Sequence, residues 1–502
     1  MKFQSTNNPS GLIDDAGSNK AINRQHLRWF IAVTSTCGFA IAWGMVKGMV
    51  FMAGLPVIFL LLLLLIFRLD IAVFIAVFIT PLSVNLHDTP LGIGVSLPSE
   101  PVMFVIFILY WLKCLTDGRL DKRIFLHPVS LVILLHLFWF FITTIGSSMP
   151  WVSFKSTLAR YCYVTVFYFM LIHIFRDLKK IKTFLNLYLI PLLLVITYTI
   201  FRHAMEGFEE KPAHTAMVPF YNDHTAYAAV VSFFIPVTIA WAVDRERTLN
   251  KRYLAGVITA VLVLAVVLSY TRAAWVGLTA AFCCYLVFFL RMKSALVYSG
   301  IIMILMVLFL FRTQITVKLE SNSEVSSTDF SNHVQSIGNI SNDDSNLERI
   351  NRWACAIRMF LKEPVTGYGP GTYMFKYVSF QKYSQRSGIS TNFSEGGGSH
   401  SEYLGPLAEQ GLPGPLLVIA IIAVTAQTTS HYISRTSKKG NKLLAIGVLL
   451  GLVTYWVHGI LNYFLDTEKA SVPFWGFIAV LVALQLYDKP QKSTESIPES
   501  ET

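Results

Sequence analysis

What most constrains the fold of this 502-residue chain is a series of apolar runs, most of them long enough to cross roughly 30 Å of hydrocarbon. Fourteen are legible. The first seven are Trp29–Val46, Met49–Phe67, Ile71–Val84, Val102–Leu115, Val129–Ile145, Tyr161–Phe175 and Phe184–Phe201. The others are Thr225–Val243, Leu254–Leu268, Ala273–Leu290, Ala295–Phe311, Leu416–Tyr432, Leu443–Ile460 and Val472–Leu486. Several are short as written, so the spacing predicts an all-α polytopic membrane helix bundle of about 12–14 transmembrane helices. The first run follows 28 mostly polar residues and has no small-residue cleavage site behind it, so it reads as a retained helix.

Composition agrees. Hydrophobic residues make up 54 % and charged residues 14 %, whereas a soluble domain carries about 25 % charged residues. This excludes a soluble enzyme, a disordered chain and a secreted disulfide scaffold. The net charge of +11 first has to be placed relative to the membrane. With the N-terminus inside, the inner segments hold 25 cations and the short outer loops seven, Lys155, Arg160 and Arg272 among them. That bias alternates at nearly every loop and predicts both termini in the cytoplasm. The inner side then carries +13 and the outer side −2. The basic balance is a topology signal, and nucleic acid is not expected as a partner.

The chain divides accordingly into a cytoplasmic tail (1–28), a first part of the bundle (29–311), a large external loop (312–415), the last helices (416–487) and a second cytoplasmic tail (488–502). The external loop is unusually long, and such loops are functional or disordered. Thr313–Asn346 is rich in Ser, Asn and Asp and reads as flexible. From Leu347 to Pro364, in contrast, Ile350, Trp353, Ile357, Phe360 and Leu361 recur at helical spacing. The turn-rich GYGPG (Gly367–Gly371) follows, and His400–Gln410 reads as a further helix closed by Gly411 and Pro413.

No Asp or Glu falls well inside a predicted crossing, which removes the usual pointer to an ion-coupled transporter. Metal-ligand spacings and nucleotide-binding loops are also missing from the sequence, so no cofactor is expected. What remains is a set of external residues. Arg272 sits in a very short outer turn, SYTRAAW. Arg349 lies at the margin of the apolar face of the segment ERINRWACAIRMF, and Arg352 points further toward its polar side. His400 opens HSEYLGPLAEQG, which also contains Tyr403. Each taken alone fits a lipid-anchoring or helix-terminal role. Together, guanidiniums suit a phosphorylated lipid substrate because they bind phosphate in bidentate fashion. An imidazole beside two cations is kept neutral and available as a base.

At these residues the sequence resembles the O-antigen ligase and polymerase superfamily of bacterial membrane glycosyltransferases. The matching pieces are YNDHTAYAA (Tyr221–Ala229), SYTRAAWVGL (Ser269–Leu278), Arg349–Trp353 running into EPVTGYGPGTY (Glu363–Tyr373), and HSEYLGPLAEQGLPG (His400–Gly414). They span roughly the C-terminal half in the family's order. The resemblance implies an inner-membrane enzyme taking glycan from undecaprenyl pyrophosphate at the periplasmic face, without a metal and with inversion. Arg272 and Arg349 would hold the pyrophosphate, Arg352 and Tyr403 would join them in substrate binding, and His400 would activate the acceptor hydroxyl. The acceptor would be lipid A-core, a growing glycan or a protein. Arg352 beside Arg349 leaves the second arginine open, and a polysaccharide or solute transporter remains the alternative of another class.

Overall fold

The computed structural model describes residues 68–86, 95–117, 121–290, 344–382 and 397–488, with isolated helical positions at 35 and 306. Two compact units divide the chain, 1–72 and 73–502. Of the first, only Arg68–Ala72 form a described stretch; the contacts below belong to the second. The crossings expected at Trp29–Val46, Met49–Phe67 and Ala295–Phe311, and most of the Ser/Asn-rich stretch, lie outside the described residues.

The secondary structure is almost wholly helical. Helix α1 (Leu69–Ile79) ends in a 3₁₀ turn, Thr80–Leu82. A two-stranded antiparallel hairpin follows, β1 (Val84–Leu86) and β2 (Val95–Leu97), with Val84 opposite Leu97. The next helices are α2 (Ser99–Asp117), α3 (Pro128–Ile145), α4 (Pro150–Ile174), α5 (Lys179–Met205), α6 (His224–Val243), α7 (Leu249–Leu268) and α8 (Arg272–Phe289). After them come α9 (Asp344–Lys362), the short α10 (Leu404–Gln410), α11 (Pro413–Arg435), α12 (Lys439–Leu461) and α13 (Glu468–Tyr487). Ten helices among the described residues, α2–α8 and α11–α13, are long and apolar enough to cross a membrane. The protein is an all-α polytopic membrane bundle.

Burial sorts these helices into centre and periphery. In α13, 83 % of the apolar window is buried, against 22 % in α7, α8 and α11. Without a hydrophobic drive in lipid, central helices associate through close packing of small residues. A Cβ on Gly451 of α12 would stand 2.4 Å from the Phe233 carbonyl oxygen of α6, and one on Gly277 of α8 would stand 2.5 Å from the Thr454 carbonyl oxygen of α12. The α6, α8 and α12 backbones therefore touch.

The structure corrects one boundary. Lys155 and Arg160 are not in an outer loop: the turn between α3 and α4 ends at Met149, and α4 starts with Pro150 at its first position, where proline's missing amide costs nothing. Arg160 is a buried helical residue, ion-paired at 2.9 Å with Asp466 in the turn between α12 and α13. A charge this far into a span is tolerated because its partner comes with it.

Successive spans alternate in direction, so the linking segments fall at two ends of the bundle. One end gathers β1 and β2, the turns 146–149, 206–223, 269–271 and 462–467, and the described residues 344–382 and 397–410. The other gathers 121–127, 175–178, 244–248 and 436–438.

Candidate functional site

The site is built at the first of these ends. Helix α9 is amphipathic, and its apolar residues Cys355, Ala356 and Met359 are buried with Tyr373, Tyr377 and Ala408. Arg352 lies on this same face, three and four residues before Cys355 and Ala356. Arg352 is only 6 % exposed, where the helical wheel placed it toward a polar side. Its Nε donates to Glu348 Oε1 at 2.8 Å, its Nη1 donates to the Gly398 carbonyl at 3.0 Å, and its guanidinium lies 4.9 Å above the Tyr377 ring. A Cβ on Gly397 would stand 1.7 Å from Nη1, so a side chain there would push the guanidinium off its partners. The wheel misled because the buried face is the one bearing Arg352, Cys355, Ala356 and Met359, while Ile357 and Leu361 of the expected apolar face stay exposed. Arg352 anchors the residues that deliver His400. Arg349, one turn earlier, is half-buried.

The GYGPG segment fixes α10. Gly367 has φ +64°, and a Cβ there would stand 2.3 Å from the Glu409 carbonyl carbon. Tyr368 and Gly369 amides donate to the Ala408 and Glu409 carbonyls at 3.1 and 2.8 Å, while Glu409 Oε1 accepts from the Tyr373 amide at 2.9 Å. On the other side, Ser148 and Ser153 hydroxyls hold the Tyr368 and Pro370 carbonyls at 2.9 and 2.8 Å. The segment is a clamp between α10 and the turn joining α3 to α4. Burial, with Asp466 nearby, pushes the Glu409 carboxyl up to about 8.

His400 stands four residues ahead of α10 rather than inside it. Its φ is +51°, a left-handed conformation that costs a non-glycine residue roughly 1–2 kcal/mol. Fastenings on both sides hold it there. Trp353 Nε1 donates to its carbonyl at 3.4 Å. Beyond it, Glu402 Oε1 accepts from Tyr455 Oη (2.6 Å) and from the Phe464 and Leu465 amides (2.8 and 2.9 Å). Burial lifts the Glu402 carboxyl to about 7. Tyr403 donates its hydroxyl to the Trp456 carbonyl at 2.8 Å. The His400 imidazole is pushed down to about 4, first by burial and then by the Arg352 and Arg349 guanidiniums, against a smaller opposing pull from Asp223 and Glu348. It is neutral at pH 7.

Asp223 brings in the other half of the site. Its Oδ1 caps α6, accepting from the Thr225 and Ala226 amides at 2.7 and 2.8 Å. The next residue, His224, accepts at its carbonyl from Thr271 Oγ1 at 3.2 Å. Thr271 precedes Arg272, the half-buried first residue of α8. Asp223 and Arg349 also act on His458 of α12, whose Nε2 is 3.0 Å from Asn462 Nδ2. The fold thus gathers Arg349, Arg352 and His400 directly and joins Arg272 to them through Thr271, His224 and Asp223. Tyr403 sits beside them, tied to α12.

Sequence reasoning did not single out Asp223, His458, Glu402 or Glu409. Asp223 carried a usable signal, an Asp directly before an apolar helix. The two glutamates sat inside a quoted motif, yet nothing in their spacing announces burial.

The architecture defines a multi-pass membrane protein in which guanidiniums and an imidazole gather at one end of the bundle. Residues 257–419 match the O-antigen ligase family, a likeness that points to a glycan-transferring membrane enzyme. No match was found among curated proteins. The matched region contains Arg272, Arg349, Arg352, His400 and Tyr403.

Proposed function

We propose that the protein moves a glycan from undecaprenyl pyrophosphate to an acceptor hydroxyl at the periplasmic face of the inner membrane, as an O-antigen ligase with lipid A-core as acceptor. The observation that carries this reading is His400, held neutral by burial beside two guanidiniums and set within the matched domain. Arg349 and Arg272, the latter at the N-terminal end of α8, hold the pyrophosphate. Helix N-termini favour anions, which adds to the arginine charge. Arg352 serves the site by holding the His400 loop.

In the reaction, His400 takes the proton from the acceptor hydroxyl as its oxygen bonds to the anomeric carbon. The bond from that carbon to the pyrophosphate oxygen breaks, the configuration inverts, and undecaprenyl pyrophosphate leaves with the electron pair. The arginines stabilise the charge that grows on the departing pyrophosphate. A free imidazole titrating near 4 is a weak base. Pyrophosphate arriving among the arginines offsets their field and raises its proton affinity, so the base strengthens when donor is in place.

The test is glycan transfer by purified protein supplied with lipid-linked donor and acceptor. Wild type is expected to release undecaprenyl pyrophosphate, and His400→Ala to be slower by about 10²–10⁴-fold while remaining folded. Wild-type turnover by the variant removes His400 from the mechanism. Passage of the intact lipid-linked substrate across a vesicle, with its linkage unbroken, would establish a transporter instead.

A further inference from the structure

Beside this site lies a cavity of about 220 Å³, well above the ~10–15 Å³ that one water needs by the same measure. Its walls come from the β1–β2 hairpin, residues 220–230 at the start of α6, and the start of α13. None of these lies within the matched domain at 257–419. Its wall includes Asp223, the residue that also acts on His400.

The lining is polar and prearranged. Asn85, Asn222 and Thr467 supply amides and a hydroxyl. The Asp223 carboxylate is fixed at the wall by capping α6. Glu468 Oε1 accepts from Ser83 Oγ at 2.8 Å. Lys469 is already engaged, donating to the Ser83 carbonyl at 2.7 Å and lying 4.6 Å over the Tyr221 ring. Asn85 Oδ1 is shielded and finds no hydrogen-bond donor among the described residues. A buried acceptor left that way costs free energy, and a ligand donor would recover it. Phe220 and Phe464 add apolar surface.

We propose that this cavity is a subsite for one uncharged sugar ring of the transferred glycan or its acceptor. The inference rests on the glycosyl-transfer reading for its choice of sugar. Hydroxyls donate to the Asn85 carbonyl oxygen and to the two carboxylates, the amide nitrogen of Asn222 donates to the sugar, and the aromatic rings cover its apolar face. Two carboxylates against one committed ammonium disfavour an acidic sugar. The subsite lies outside residues 257–419, so the identity of the accepted sugar is set by parts of the chain beyond the matched region.

The test measures binding of free monosaccharides to the full chain in detergent by saturation-transfer NMR, with neutral hexoses, N-acetylhexosamines and a hexuronic acid as probes. Wild type and His400→Ala are expected to give a saturable signal with a neutral sugar, stronger than with the hexuronic acid. Asn85→Leu in the hairpin and Asn222→Leu ahead of α6 should each weaken it about three- to tenfold. No saturable signal in wild type, or unchanged binding in both variants when each is monodisperse, overturns the subsite. Binding is read without turnover, so a failure of glycan transfer and a failure of the subsite are distinguishable. Where transfer is active, competition by the sugar against the donor or against the acceptor assigns the subsite to that substrate, and competition against neither overturns it.

Discussion

The two ends of the bundle use charge differently. At the end away from the candidate site, Asp121 pairs with Arg123 and Arg176, whose side chains are 63 % and 49 % exposed. Lys438, 43 % exposed, pairs there with Asp488. Pairs whose cation stands in solvent contribute little to stability. At the other end the guanidiniums are buried: Arg352, with its partner Glu348, is 7 % exposed, and so is Arg160, which pairs from inside a span with the more exposed Asp466. Buried charges are expensive and persist where hydrogen bonds hold every part of them. Arg123 and Arg176 stand in solvent at one end, and Arg352 and Arg160 are enclosed at the other.

The sharpest way to break that comparison is to separate Arg352 from Arg349. Removing one partner of a buried pair costs about 3–5 kcal/mol, so Arg352→Ala should lower the unfolding midpoint and undock the His400 loop, with activity lost alongside. Arg349→Ala should leave the midpoint nearly unchanged and slow transfer about ten- to a hundredfold, as expected for one charge-assisted phosphate contact. A stable Arg352→Ala protein with normal loop protection, together with a wild-type Arg349→Ala rate, would exchange the two roles.

A pH profile sharpens the account of His400. Its free-enzyme pKa is about 4, so kcat/KM should fall only as pH approaches that value. The limb in kcat should lie at higher pH, because it reports the complex in which pyrophosphate offsets the arginines. Coincident limbs would mean that the pyrophosphate is not seated beside His400.

Glu402 gives a smaller, opposite effect on stability. Its carboxyl titrates near 7 in the fold against an ordinary 4.5. The folded state therefore binds the proton more tightly, and the stability this contributes is lost as pH rises from about 4.5 through 7. Glu402→Gln keeps the acceptor oxygen and never ionises, so thermal midpoints measured from pH 5 to 8 should decline less steeply than in wild type. An equally steep decline would show that Glu402 is ionised throughout. At the bottom of the scale, Arg123→Ala with Arg176→Ala at the opposite end should change neither turnover nor midpoint in purified protein. A tenfold loss of turnover would end the distinction between the two ends.

Much of this was legible in the sequence. The ten described spans fall on runs of apolar residues, because lipid admits only segments of that length and character. Ile350, Trp353 and Ile357 announced α9 by their spacing, and Gly367–Gly371 announced a turn. His400, in contrast, looked like part of a helix. It is a left-handed residue ahead of one, since its conformation is set by the Trp353 and Glu402 contacts on either side. Arg160 was placed in a loop because its partner, Asp466, lies 306 positions away.

The sequence by itself determined that the chain crosses a membrane many times, which segments do so, and that its external motifs resemble those of a glycan-transferring family. Each of these depends on local composition or spacing, which neighbouring residues fully specify. Only the tertiary structure decided which polar residues are buried, that Arg352 holds the His400 loop while Arg349 stands half-buried one turn away, and that Asp223 links the site to a cavity beyond the matched domain. Burial and electrostatic proximity are set by helices far apart in the chain packing backbone against backbone, and local spacing carries no record of that.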